Sequence, residues 1–304
     1  MVVGLLGRVS LMSKRALVIG ADGVIGSSLY KRLKVDGWYV VGTTHKLDSI
    51  SRGFIFFDLD ETIADRFISP EVNVAFICAG VTSLAQCRAD FEGTSKVNVT
   101  STVNLVNKLH ELDIFTIFIS TNLVFDGKIH FCPASHAKNP IEPYGVQKSI
   151  VEDEVLALGG NAAILRLSKV VHPNFPLFIE WYHDLINGYQ ISPYMDMNFS
   201  PVSVESVIDL LVSIASSKSE GVFQLSSNGD ISYVAAAKLL AKCLGLDEDV
   251  VVPTKKDLLE DGVLCSINTT LDSKRVSSEF NAHPKSPDFV LSDLYFNMFG
   301  CGIK

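Results

Sequence analysis

No cluster of lysines and arginines occurs in the 304 residues, and the formal net charge is −8. A phosphodiester backbone would meet neither a basic patch nor an overall attraction, so nucleic acid is not an expected partner. Cysteine is sparse: Cys78, Cys87, Cys132, Cys243, Cys265 and Cys301 include no Cys-x-x-Cys pair. A chain of this length needs no covalent staples, so free thiols in a reducing cytoplasm are the simplest reading. No His, Cys and carboxylate set has metal-ligand spacing, and no metal is expected. Long hydrophobic runs are also missing. Val2 to Leu11 is apolar apart from Arg8 and Ser10, about half the ~20 residues a membrane span requires. It lacks the charged start and small-residue cleavage site of a secretory signal, so no membrane association is expected. Because Met12-Ser13-Lys14-Arg15 leads straight into the first strand, 1–13 reads as an N-terminal extension. There are no internal repeats or low-complexity tracts.

What is present is an ordinary globular composition, 47% hydrophobic and 20% charged, enough for one large domain or a domain with a smaller partner. Short apolar runs at Ala16–Ile19, Tyr39–Val41, Phe54–Phe57, Val74–Cys78, Phe115–Ile119, Ala163–Leu167 and Val222–Leu225 alternate with amphipathic helical stretches. Continuous apolarity marks strands buried on both faces. The alternation predicts an α/β fold with a doubly wound parallel sheet and a smaller C-terminal lobe. The expected division is a dinucleotide-binding domain over 14–170 to which 200–228 returns, and a substrate-binding lobe from 171–199 and 229–304.

Leu17-Val18-Ile19 is followed by Gly20-Ala21-Asp22-Gly23-Val24-Ile25-Gly26 and a helix start. Glycines at this spacing permit a tight turn and close backbone approach, so that helix N-terminal N–H groups hold a pyrophosphate. The position about 20 residues on, where an NAD site places an acid, reads Gly42-Thr43-Thr44-His45-Lys46. Hydroxyls and two basic side chains there favour NADP(H) over NAD(H), unless His45 and Lys46 are simply solvated. Asp58 and Leu59 follow the third strand, where a carboxylate meets the adenine edge or serves an ordinary turn.

Tyr144 and Lys148 stand four residues apart, one helical turn, on one face. Tyrosine titrates near 10, too high for ready proton exchange at neutral pH, and a nearby ammonium favours the phenolate. The pair suits carbonyl reduction and alcohol oxidation. With Gly20-x-x-Gly23-x-x-Gly26, Cys78-Ala79-Gly80, Asn98-Val99-Thr100, Ile119-Ser120-Thr121-Asn122-Leu123-Val124-Phe125-Asp126-Gly127 and Pro143-Tyr144-Gly145-x-x-Lys148 in this order, the chain resembles an extended short-chain dehydrogenase/reductase. Within that group it is most similar to the dTDP-4-dehydrorhamnose reductase type.

The resemblance implies Tyr144 as acid and Lys148 as its tuner and a nicotinamide-ribose ligand. Thr121 would hold the substrate carbonyl. Asn98 would anchor a water and proton relay, or merely cap a helix. Ala79, Gly80 and Val81 join the cofactor set, and Thr82, Asn122, Arg166 and Lys169 the substrate set. Arg166 and Lys169 would meet an anionic group such as a nucleotide diphosphate, although Arg166 suits a structural ion pair equally. Trp181, Tyr182 and Tyr189 would either stack on substrate or pack a core. Thr121-Asn122-Leu123 lacks the adjacent acids of the related dehydratases, so reduction or epimerisation is expected rather than dehydration. The expected function is NADPH-dependent reduction of a keto group on a nucleotide-activated sugar. Alternatives are a nucleotide-sugar epimerase or a non-catalytic NADP-binding regulatory subunit, and a homodimer is a family expectation.

Overall fold

Strands whose every residue is apolar or small can be satisfied only by cover on both faces. The computed structural model, which describes residues 14–50, 53–59, 68–255 and 268–300, shows that cover for the inner strands, whereas Ile55 and Phe56 at the sheet edge are exposed. The strands are β1 (Arg15–Ile19), β2 (Tyr39–Thr44), β3 (Ile55–Phe56), β4 (Val74–Ile77), β5 (Phe115–Thr121) and β6 (Ala162–Leu167), then the short β7 (Lys169–Val171), β8 (Asn198–Phe199) and β9 (Pro201–Ser203), and finally β10 (Gly221–Leu225) and β11 (Ile231–Ser232). Seven form one sheet in the order β10-β6-β5-β4-β1-β2-β3, parallel throughout. All seven apolar runs of the sequence fall in it, and the late run at Val222 returns to pair with β6 as expected.

Alternate residues of each strand enter opposite cores, the period-2 rule applied to both faces. Ala16, Val18, Val74, Phe76, Phe115, Ile117 and Ile119 join α1 (Val24–Val35) on one side. Leu17, Ile19, Ala75, Ile77 and Phe118 pack on the other side against a helix that supplies Leu105, Val106 and Leu109. Four short helical pieces precede that contact in the chain: α2 (Leu47–Ile50), α3 (Leu84–Ala89), α4 (Phe91–Ser95) and a π-helical turn, Lys96–Ser101. The packing helix itself is α5 (Thr102–Glu111), and α6 (Pro143–Ala157) lies beside it, adding Val151 and Val155.

A third apolar cluster joins α7 (Pro176–Ile186) and α9 (Tyr233–Cys243) to the helix Pro287–Phe299 through Phe178, Trp181, Leu240, Leu291 and Tyr295. Between α7 and α9, α8 (Val204–Ser217) returns to the sheet beside α1. The pairings β7·β9 and β8·β11 carry the chain between these regions.

Cys78, Cys87 and Cys132 are free, whereas Cys243 is disulfide-bonded. The expectation of free thiols throughout is corrected at that position, because pairing depends on long-range proximity that sequence spacing does not encode. Cys265, Cys301 and the 1–13 extension lie outside the described residues. Among the described residues no helix is long and apolar enough to cross a membrane.

The strand order reverses between β1 and β4. In parallel α/β sheets a crevice opens at the carboxyl ends of strands flanking such a switch.

Candidate active site

β1 ends in Gly20, at φ +82°, where an added Cβ would sit 2.8 Å from the Ala79 backbone. At Gly26 the added atom would come within 2.1 Å of the Gly20 carbonyl. The turn therefore closes only with hydrogen in both places, and α1 starts directly behind it. Gly23 is the N-cap of α1 with no side-chain cap, and the first turn carries no acidic residue. Its N–H groups and dipole suit an anion. Gly23, Val24, Ile25 and Gly26 line a cavity of about 530 Å³, shared with Cys78, Ala79, Gly80 and Thr82 after β4. This cradle fits a dinucleotide pyrophosphate.

At the end of β2 the structure corrects part of the expected set. Thr43 and Thr44 are each 1% exposed and their hydroxyls serve the backbone: Thr43 Oγ1 accepts from Gly20 N (3.3 Å), Thr44 Oγ1 from Lys46 N (3.0 Å). Neither they nor His45 and Lys46 are part of the cavity lining. His45 is exposed. Lys46 reaches back to Asp22 of the glycine turn, Nζ to Oδ2 3.2 Å. Leu59 is buried in the apolar cluster with Phe57, and neither it nor Asp58 lines the cavity.

Proline at the first turn starts α6, and Glu142 before it gives its carboxylate to Arg88 (2.8 Å) rather than to a cap. Tyr144 and Lys148 on this helix enter the same cavity as the glycine turn, together with Thr121 and Asn122 at the end of β5. Thr121 Oγ1 accepts from Leu123 N at 3.2 Å, which fixes its rotamer at the strand end. Lys148 Nζ donates to the Ile119 carbonyl (2.9 Å) and lies 4.4 Å from the Phe118 ring centre and 5.8 Å from that of Tyr144.

Burial pushes the Tyr144 phenol above its ordinary value, the Cys87 thiol adding to it. Burial also brings the Lys148 ammonium down to about 8 against the opposing pull of Cys78 and Glu152. A neighbouring Lys148 ammonium by itself would lower the phenol pKa. In this structure desolvation outweighs that, and Tyr144 is held protonated.

Asn98 lies in the π-helical turn Lys96–Ser101, not at a helix N-cap, and π turns of this kind are frequent at functional sites. Its side chain is committed: Oδ1 accepts from Val81 N (2.8 Å), and Nδ2 donates to Val81 O (2.9 Å) and Gln147 Oε1 (2.8 Å). Asn98 and Val81 thus stand behind the cavity wall rather than in it. Gln147, missed by sequence reasoning, is wholly buried and donates to Thr94 Oγ1 (2.8 Å) and Ser95 Oγ (3.0 Å). A polar residue between Tyr144 and Lys148, on the inward face, was the available signal.

Among the expected substrate contacts, Thr82, Asn122 and Lys169 line the cavity and Arg166 does not. Arg166 is 3% exposed and forms a two-point pair with Glu152, Nε to Oε1 2.9 Å and Nη2 to Oε2 2.7 Å. Its charge is spent inside the fold, so the substrate role is corrected to a structural one. Lys169 is exposed as a whole, yet desolvation by its surroundings in the cavity lining lowers its pKa, and Nζ sits 5.6 Å from the Phe175 ring. Trp181 packs in the third cluster, Tyr182 stacks on Phe299 at 4.0 Å, and Tyr189 is exposed. The aromatic wall consists instead of Phe175, Phe199 and Tyr233, beside His172 and Asn198.

The RmlD substrate binding domain model matches residues 14–292. A "probable low-salt glycan biosynthesis reductase Agl14" of Haloferax volcanii is 25% identical over 247 residues, 78% of this chain and 82% of the relative. The methionine adenosyltransferase 2 subunit beta of Xenopus tropicalis is 28% identical over 161 residues, spanning 52% of this chain and 48% of that protein. A Bacillus anthracis dTDP-4-dehydrorhamnose reductase solved in complex with NADP superposes with a TM-score of 0.82 over 94% of this chain and 98% of its own, at 18% identity, a likeness of fold. The chain belongs to the RmlD substrate-binding-domain family, the dTDP-4-dehydrorhamnose-reductase-like branch of the extended short-chain dehydrogenases/reductases.

Proposed function

We propose that this protein reduces a keto group on a nucleotide-activated sugar, using NADP(H) in preference to NAD(H). The observation that carries the reading is the convergence of Thr121, Tyr144 and Lys148 on one cavity with the uncapped glycine turn. Reduced nicotinamide, when bound there, supplies the hydride. Thr121 orients the carbonyl oxygen by its hydroxyl. Tyr144, whose phenol burial keeps protonated, donates the proton to that oxygen as it gains charge. Lys148 carries its ammonium below pH about 8 and stabilises the phenolate left behind. Lys169, Phe175, Phe199 and Tyr233 offer a cationic and aromatic surface for the nucleotide portion. Support for the dinucleotide comes from the glycine cradle and from the relative solved with NADP.

Incubation with NADPH and a panel of nucleotide-linked 4-keto sugars, followed by nicotinamide absorbance, tests this directly. Tyr144→Phe is expected to lower turnover by roughly 10²–10⁴-fold while retaining dinucleotide affinity. Product change without net cofactor loss would point to epimerisation instead. A second reading, an NADP-binding subunit of another enzyme, draws on the match to methionine adenosyltransferase 2 subunit beta over about half of each chain. Dinucleotide binding with no turnover of any panel member would favour it.

A further inference from the structure

An NAD site usually has an acid at the end of the second strand for the ribose 2′-hydroxyl, and an NADP site a base for the 2′-phosphate. Here the base is in the expected segment, as Lys46, but an acid has been brought to it from the glycine turn. The turn is tied to β2 by Ala21 N→Thr43 O (2.8 Å) and Gly20 N→Thr43 Oγ1 (3.3 Å). Lys46 N→Thr44 Oγ1 (3.0 Å) sets the start of the following loop. These bonds hold Asp22 and Lys46 together beside the glycine turn, where Asp22 immediately precedes the cavity-lining Gly23 and neither member of the pair is itself part of the lining.

The two partners differ in freedom. The Asp22 side chain is 6% exposed, and its Oδ2 makes no hydrogen bond among the described residues, meeting the Lys46 ammonium at 3.2 Å. Lys46 is 60% exposed on a flexible stem. A buried carboxylate cannot swing away, whereas a solvated lysine gives up an ion pair at little cost.

We propose that Asp22 and Lys46 form a paired selector for the adenosine ribose of the dinucleotide. A 2′-phosphate draws Lys46 away from Asp22 and is opposed by the carboxylate that stays behind. A 2′-hydroxyl donates to Asp22 and leaves the pair intact. The basic residue seen in the sequence is therefore not a free phosphate receptor, and Asp22 holds the preference for NADPH below what Lys46 alone would confer. The proposal rests on the reading of this cavity as a dinucleotide site.

The test needs no substrate. Dissociation constants of NADPH and NADH are measured at low ionic strength by nicotinamide fluorescence for the wild type, Asp22→Asn and Lys46→Gln. Asp22→Asn is expected to raise the ratio Kd(NADH)/Kd(NADPH) on the order of tenfold, by tightening NADPH and weakening NADH. Lys46→Gln is expected to lower the ratio on the order of tenfold, almost entirely through NADPH. In the double variant, the effect of removing Lys46 is larger than in the wild type, because the lysine there is no longer held.

Ratios unchanged in both single variants, with both dinucleotides still bound, would overturn the selector and leave the dinucleotide site standing. Failure of the wild type to bind either dinucleotide would overturn both. Should the buried Asp22 position not tolerate asparagine, Asp22→Ser is measured in the same way: a raised ratio supports the selector, and an unchanged ratio with both dinucleotides bound overturns it.

Discussion

Lys148 is 5% exposed, with its ammonium held by one carbonyl and two aromatic faces. Loss of hydration on burial outweighs those contacts and favours the neutral amine, which is why its pKa falls from 10.5 to about 8. Between those values the unfolded chain binds the proton and the folded chain does not, so this group's contribution to stability rises with pH across the window. Below pH 8 both states are protonated and the fold carries the full cost of the buried charge, on the order of 3 kcal/mol. Lys148→Met removes that cost together with the hydrogen bond to Ile119, and loss of the bond is common to every pH. The variant is therefore expected to gain stability relative to the wild type at pH 7 compared with pH 10.5, by up to about 3 kcal/mol in urea unfolding. A difference independent of pH would show that Lys148 is not an ammonium paying for burial. Tyr144 is perturbed in the complementary sense, and the two shifts together keep the proton on the phenol, where carbonyl reduction requires it.

Between elements, a buried ion pair ties α6 to β6 near the site. Glu152 has no exposure and accepts from Arg166 at two points and from Ser120 Oγ of β5 at 2.6 Å. Arg166 Nη1 donates onward to Ala134 O (3.0 Å) and Gln224 Oε1 of β10 (3.2 Å). One carboxylate thus fixes the helix bearing Tyr144 and Lys148 against the strand bearing Thr121. Removing Arg166 leaves the buried Glu152 carboxylate, as a cationic partner, only the longer contact to Lys138 (3.6 Å), so Arg166→Met is expected to cost about 3 kcal/mol. Arg166→Met with Glu152→Met is expected to cost less than the single change, since neither charge then remains uncompensated. A double-mutant cycle in denaturant measures this, and additive losses would show that the pair is not coupled.

Over the whole molecule, legibility in sequence followed the range of the interactions involved. The sheet was legible because burial on two faces writes itself into consecutive residues, as in Phe115–Thr121, and the glycine turn because its steric demand is local. Tyr144, Lys148 and Thr121 were legible by order and spacing. Arg166 was assigned to substrate and proved structural, because Glu152 lies in a different element and a cation near a strand end looks the same whether its partner is a ligand or a carboxylate. Phe199 and Tyr233 were missed for a similar reason: β8 and β11 meet only after the chain has left and rejoined the sheet.

The cavity walls that meet at Tyr144 therefore come from segments far apart in the chain, and ligand contacts to both walls should resist unfolding jointly. Dinucleotide at 100 times its dissociation constant stabilises the fold by about 2.7 kcal/mol, which for a protein of this size is a rise in Tm of roughly 5 °C. A nucleoside diphosphate is expected to seat near Lys169 and Phe175, apart from the glycine turn, and to add its own shift to that of NADPH. Melting curves with each ligand and with both decide the matter. A combined shift no larger than the greater single one would mean that the two compete for one place, and the cavity would then lack room for a cofactor and a nucleotide-linked substrate together.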